Sequence, residues 1–179
     1  MAEKISVWND AGKAGLVLGG VSAAYFAVEL LGSGLQPGMG TALFAAGKFV
    51  LWIVKFVGCI LLMKFFMKKF AAANPEATNN DCFRMGAATA LLSALLYSAL
   101  YLGYVGFINP DMLSDAIHTT MEQMSSMLDS NSRQLMEDMI PKLPAMVFFT
   151  NLIYCTLYGT LLSAILSRRI PSRNPFEGA

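Results

Sequence analysis

The chain of 179 residues is 55% hydrophobic and only 14% charged, whereas an ordinary soluble domain carries about 25% charged residues. Its net charge of +1 gives no sign of the basic patch with which proteins bind nucleic acid, so no nucleic-acid partner is expected. Long stretches carry no charge at all, which is typical of a membrane protein and excludes an ordinary soluble domain.

Four apolar runs predict four transmembrane helices, at about residues 14–33, 43–63, 85–107 and 146–167. About twenty residues of helix cross roughly 30 Å of hydrocarbon, and the backbone there must be helical because lipid offers no partner for a free amide. The sequence therefore predicts an all-α fold, a four-transmembrane-helix bundle that forms a single integral membrane domain over residues 1–179. The first run is not expected to be a cleaved signal peptide, because its leader contains Glu3 and Asp10 beside its bases.

Small residues recur at every fourth position in spans one, three and four. Such stripes let helix backbones approach closely in a bilayer, and they predict that these three spans pack together. The stripes are Gly15, Gly19, Ala23 and Ala27 in span one, Gly86, Ala90, Ala94 and Ser98 in span three, and Cys155, Gly159, Ser163 and Ser167 in span four.

The distribution of lysine and arginine predicts the orientation. Basic residues concentrate in the leader, in the link between spans two and three, and in the tail after span four, whereas residues 108–145 are mainly acidic. Since basic loops stay on the cytoplasmic side, both termini are expected in the cytoplasm and residues 108–145 in the periplasm. The expected location is a bacterial inner membrane.

The periplasmic segment, residues 108–145, is predicted to form an amphipathic helical hairpin between spans three and four. Asn109 and Pro110 resemble a helix start, and an apolar stripe then runs as far as Leu128. After "DSNS", Asn131 with Gln134 resembles a second helix start, and Pro141 and Pro144 are expected to end that helix before span four.

Methionines in the hairpin raise the possibility of a copper site, since Cu(I) favours thioether ligands. Met121, Met124 and Met127 lie three apart, but residues six apart on one helix lie about 120° apart around it and about 9 Å apart along it, too far to share one ion. A site would need Met136 and Met139, or a second subunit, to complete it. The simpler interpretation is a flexible apolar face, with His118 on the opposite, acidic side.

Polar residues within the spans predict an intramembrane polar cluster. At 1.5 Å per residue, Glu29, Lys48, Tyr101 and Asn151 lie about 6–9 Å below the outer surface, and Lys55, Tyr97 and Tyr158 lie roughly 15–18 Å deep. Ionisable groups at such depths are candidate sites. A Glu29–Lys48 pair is expected, although the pair could serve only helix register, and Lys48 could extend to the headgroups. Lys55 is expected to face the bundle interior and to meet a tyrosine hydroxyl or water.

The chain resembles a bacterial family of membrane proteins, domain of unknown function 4199. The likeness rests on "GKAGLVLGGVSAAY" in span one, "CFRMGAATALLSAL" at span three, "INPDMLSDAI" at the periplasmic segment and "SRRIP" after span four. The link between spans two and three, which is expected on the cytoplasmic side, departs from the family by lacking a glycine. The resemblance implies a compartment and a topology, and it implies no catalytic residue.

Three functions remain open from the sequence. The first is a non-catalytic accessory or assembly subunit that contacts the lipid bilayer and a membrane-protein partner or a second copy of itself. The second is a carrier or binder of an ion, lipid or amphiphile at the polar cluster, and the third is copper binding by methionine. No nucleophile–base pair, phosphate loop or metal-ligand cluster is apparent, and the three cysteines form no CxxC pair, so neither an enzyme nor a cofactor is expected.

Overall fold

A computed structural model describes residues 7–31, 39–124 and 129–170, and these residues are helical with no strand among them. The long helices are α1 (Val7–Leu31), α2 (Met39–Ala73), α3 (Asn79–Gly103, continued by a π-helical turn Tyr104–Ile108) and α6 (Leu143–Ser167). The short helices are α4 (Met112–Gln123) and α5 (Ser130–Met139), and a 3₁₀ turn Ile140–Lys142 precedes α6. Four helical stretches are long and apolar enough to cross a membrane, which confirms the all-α, four-span prediction.

The described residues form two compact units, one within residues 1–97 and 154–179 and one within residues 98–153. The core of the first unit contains the start of α1, the end of α2, the start of α3 and the region after α6. The joined ends of these four helices bury Ala14, Leu18, Met63, Met67, Phe70, Ala77, Cys82, Met85, Leu166 and Ile170. Toward the other end of the unit, α2 instead exposes apolar side chains such as Phe49 and Val54, as a lipid-facing helix does.

Glycines bring the helices of the first unit into close contact. A Cβ added at Gly15 would lie 2.8 Å from Leu92 Cβ of α3, and one added at Gly159 would lie 2.5 Å from Ala90 Cβ. Beside Gly86, the Ser163 hydroxyl donates to the Phe83 carbonyl at 2.9 Å and so links α6 to α3. These contacts confirm the predicted packing stripes at these positions. Ala27, at the end of the first stripe, is exposed.

Helix α2 continues well beyond the apolar run and includes Lys64, Lys68 and Lys69. It ends where Asn74 Nδ2 donates to the Phe70 carbonyl at 2.9 Å, directly before a proline. Helix α3 then begins with a reciprocal cap: Thr78 N–H donates to Asp81 Oδ2 at 3.0 Å, and Asp81 N–H donates to Thr78 Oγ1 at 3.3 Å. The two spans are thereby joined by a short, well-defined turn.

The second unit contains the two amphipathic helices α4 and α5, but their starts differ from the sequence prediction. Helix α4 begins after Asp111, and Asn109 instead caps the preceding π-helical turn. Helix α5 is capped by Asp129, whose side chain accepts from Ser132 N–H at 2.8 Å, and not by Asn131. Asp129 forms the better cap because its backbone is extended, as the capping position requires.

The prediction that prolines end α5 before span four is confirmed, because α5 ends at Met139. Pro141 lies in the 3₁₀ turn Ile140–Lys142 and Pro144 lies in the first turn of α6. Proline is tolerated at the first positions of a helix because the backbone N–H that it lacks has no partner there. The prolines therefore mark both the end of α5 and the start of α6, with only the 3₁₀ turn between the two helices. Met127 and Leu128, the end of the predicted α4 stripe, lie outside the described residues.

Candidate functional site

A cleft of about 230 Å³ lies within the first unit, and α1, α2, α3 and α6 all contribute to its wall. Its volume far exceeds the ~10–15 Å³ that one water molecule needs. The buried side chains of Leu18, Met63 and Ala90 form its floor. Trp52 and Tyr154 also line it and are 49% and 70% exposed, so the cleft opens at the side of the helices.

Lys55 lines this cleft and is half-buried. Its Nζ lies 4.6 Å from the ring centroid of Tyr25 and 5.3 Å from that of Tyr97. The amine therefore faces the interior of the first unit, where it lies over the faces of two tyrosine rings; a contact with a tyrosine hydroxyl or water stays a prediction. Ring faces carry partial negative charge and attract a cation, which offsets part of the loss of water around it.

No carboxylate of the described ranges 7–31, 39–124 and 129–170 forms an ion pair with Lys55. Among the described residues, the positive charge is thus offset by ring faces and not by a carboxylate. Because ionised groups at membrane depth are costly when unpaired, this lysine is the most unusual group of the first unit.

The remaining wall of the cleft combines an aromatic side with small polar groups. Trp52 and Phe56 stack with ring centroids 5.6 Å apart, and the Tyr158 ring lies 5.7 Å from that of Phe56. The polar groups are the hydroxyls of Ser22 and Ser93 and the thiols of Cys59 and Cys155. An apolar wall with a few polar groups and one charge is typical of a pocket for a small amphiphilic molecule.

Glu29 and Lys48, the predicted pair, lie beside each other in the first unit. Lys48 Nζ is 3.5 Å from Glu29 Oε1, and both side chains are a little over one-third exposed. Their charges offset each other, and such partly exposed pairs contribute little to stability, about 0–1 kcal/mol. A binding role for this pair stays a prediction.

The other residues of the predicted cluster lie in different parts of the molecule. Tyr97 contacts Lys55 and makes an edge-to-face contact with Phe26 at 6.3 Å, and Tyr158 lines the cleft. Tyr101 and Asn151 belong to the second unit, where both are half-buried. The structure thus brings Lys55, Tyr97 and Tyr158 into or beside one site.

A protein-family model described as "Protein of unknown function (DUF4199)" matches residues 13–169, which is most of the chain. The chain belongs to this family. Comparisons with curated proteins and with solved structures give no match. The family match confirms the resemblance seen in the sequence, and together with the four apolar helices it describes a multi-pass membrane protein.

Sequence reasoning missed Tyr25, Cys59 and Cys155 as members of the site. A signal for two of them was present. Tyr25 lies four residues before Glu29 on α1, and Cys59 lies four residues after Lys55 on α2, so each continues a helical face that already carries a charge. Cys155 was assigned to a packing stripe, and its position in the cleft depends on the rotation of α6, which the sequence does not give.

The methionines of the possible copper site all lie in the second unit. Met121 is on α4, Met124 caps its end, and Met136 and Met139 are on α5. Met124 and Met139 are exposed, and Met121 and Met136 are half-buried. Within the part of the chain that the structure describes, histidine, cysteine and acidic residues form no metal-binding group. Copper binding by the methionines stays a prediction.

Proposed function

We propose that this protein is a non-catalytic inner-membrane protein that binds a lipid-like amphiphile in the Lys55 cleft. One observation carries the proposal: a cleft of about 230 Å³ leads from the exposed side of the helices to a lysine near the middle of α2. A tightly filled bundle would instead have favoured a purely structural role. The proposed orientation keeps both termini in the cytoplasm and α4 and α5 in the periplasm.

The size and position of the cleft support an amphiphile in particular. Pockets that enclose a whole drug-sized ligand hold about 300–1,000 Å³, so this cleft suits a head group and the beginning of a chain. The remainder of the chain can lie along the exposed apolar side chains beside the mouth, such as Leu157 and Leu161 of α6. An ion alone would leave most of the aromatic wall without a partner.

A role as an accessory subunit is the second candidate, and the exposed faces of α2 and α6 favour it. A partner helix or a second copy could cover these apolar side chains as well as lipid does. The two roles differ in what depends on Lys55. If the protein is an accessory subunit that binds its partner through these exposed faces, replacing Lys55 with methionine should leave co-purification of the partner unchanged. If the protein binds an amphiphile in the cleft, the same replacement should reduce amphiphile binding.

The cysteines provide a direct test of the cleft. Cys59 and Cys155 line it, whereas Cys82 lies in the core and serves as the internal control. The full chain in phosphatidylcholine nanodiscs is treated with N-ethylmaleimide, with and without oleic acid or oleyl alcohol, and alkylation is followed by peptide mass spectrometry. We expect either probe to slow alkylation of Cys59 and Cys155 in a saturable way. Unchanged rates at both cysteines would contradict the proposal.

A further inference from the structure

The balance of charge in the first unit points to an acidic ligand. Resting on the proposed function, we infer that the cleft binds a long-chain carboxylic acid, with its carboxylate on the Lys55 ammonium and its chain between the aromatic wall and the lipid.

The parts of the four apolar runs that belong to the first unit, residues 14–33, 43–63, 85–97 and 154–167, contain three charged residues: Glu29, Lys48 and Lys55. Glu29 and Lys48 lie 3.5 Å apart and offset each other. Lys55 remains as one positive charge, and within the described residues it has the rings of Tyr25 and Tyr97 beside it and no carboxylate paired with it. A ligand with one negative charge makes the site neutral and adds charge-assisted hydrogen bonds, which are the strong ones in a site with little water.

The depth of Lys55 favours a carboxylic acid over a phospholipid. Lys55 lies one residue from the midpoint of α2, at an expected depth of roughly 15–18 Å. A carboxylic acid can reach this depth because it becomes neutral by binding a proton where water is scarce, whereas a phosphodiester keeps its charge. On binding, the acid releases that proton to the aqueous phase through water, which leaves its carboxylate paired with the Lys55 ammonium, and no covalent bond to the protein forms.

The dimensions of the cleft agree with a small head group. A carboxylate with the first part of its chain fits a volume of about 230 Å³, and the stacked rings of Trp52 and Phe56 offer an apolar surface for the methylene groups. Ser22 lines the same cleft and its hydroxyl can donate to a second carboxylate oxygen, whereas the Ser93 hydroxyl already donates to the Ala90 carbonyl at 3.0 Å. The carboxylate head therefore matches the polar groups around Lys55, and the alkyl chain matches the aromatic surface of Trp52 and Phe56.

Trp52 makes the test possible, because it lines the cleft and the chain has only one other tryptophan, Trp8. In a Trp8→Phe background, the full chain is placed in phosphatidylcholine nanodiscs and titrated with dibromostearic acid, its methyl ester or a dibrominated phosphatidylglycerol. Bromine quenches Trp52 fluorescence when the chain lies in the cleft. Lys55→Met removes the charge of the cleft, and Lys55→Arg is the matched control that keeps a positive charge at the same position of α2.

We expect the acid to quench Trp52 saturably and to bind roughly 10- to 100-fold more tightly than its methyl ester, the range of one hydrogen-bonded charge pair. Lys55→Met should abolish this preference, whereas Lys55→Arg should retain it. The comparison of acid with ester uses the native lysine, so it holds even if Lys55→Met fails to fold.

Three results would overturn the inference of an acidic ligand, and they differ in whether the proposed function is overturned with it. Equal saturable binding of acid and ester refutes the acidic ligand but keeps the cleft as an amphiphile site. If the brominated phosphatidylglycerol binds more tightly than the acid and its binding depends on Lys55, the ligand of the cleft is a phosphate and not a carboxylate. Absence of saturable quenching by all three probes refutes the proposed function itself.

Discussion

Replacing Gly15 with alanine should weaken the contact between α1 and α3. The added Cβ would lie 2.8 Å from Leu92 Cβ and 3.4 Å from both Ser93 N and Thr89 O. Carbon atoms pack best at about 3.5–4.0 Å, so the helices must separate by roughly 1 Å. Neither a Cβ nor a backbone atom can rotate away, and overpacking of this kind costs about 1–3 kcal/mol.

Gly20→Ala is the matched control in the same helix. A Cβ at Gly20 meets no atom of the described residues within 4 Å, so this variant changes only the helix propensity, by up to about 1 kcal/mol in favour of alanine. The difference between the two variants therefore isolates the steric cost. Thermal unfolding in detergent, followed by circular dichroism, should give a lower midpoint for Gly15→Ala, by about 2–4 °C for each kcal/mol. Equal midpoints would show that α1 and α3 do not approach this closely at Gly15.

Three further predictions address the α3–α6 contact, the cap of α5 and the orientation. Ser163→Ala removes the hydroxyl that donates to the Phe83 carbonyl at 2.9 Å, and it should lower the free energy of unfolding by about 0.6–1.7 kcal/mol in the same assay; an unchanged value would mean that this bond adds nothing. Side-chain and backbone hydrogen bonds from Ser132 hold the pKa of Asp129 below its ordinary value. The stabilisation of α5 by this cap is therefore complete above a pH of about 3.9 and is lost as the pH falls through the lowered pKa. NMR titration of this carboxyl checks the direction, and a midpoint at or above the ordinary value would contradict it. In a cysteine-free background, a membrane-impermeant maleimide added to intact cells should label His118→Cys and spare Arg169→Cys, and the reverse pattern would invert the topology.

The helices themselves could be predicted from the sequence, because hydrocarbon requires about twenty apolar residues in helical form. The ends of the helices were less predictable. The apolar run of span two stops near Met63, yet α2 continues to Ala73, since Lys68 and Lys69 are good helix formers and no breaker precedes Pro75. Hydropathy reports where the lipid ends, and it does not report where the helix ends.

The candidate site was predictable only in part. Depth along each helix was sufficient to bring Glu29 and Lys48 to the same level, because every residue adds the same rise of about 1.5 Å. Depth does not give the rotation of one helix against the next. For this reason a hydroxyl or water was expected beside Lys55, and the ring faces of Tyr25 and Tyr97 that the structure places there were not foreseen.

The short helices of the second unit show a similar limit. Asn131 and Asp129 are both good capping residues, and the sequence alone favoured the first. The choice depends on which backbone is extended, and only Asp129 has that conformation together with a donor three residues ahead. Side-chain chemistry identified the region of the cap, and backbone geometry selected the residue.

The buried floor of the cleft, where Leu18 and Met63 belong to the packed core, determines the route that any guest must take. Trp52 of α2 and Tyr154 of α6 are exposed at its wall, so the open side lies at these two helices. A molecule held there would rest against side chains that the core keeps in place, and binding would not require the packed ends of the helices to separate.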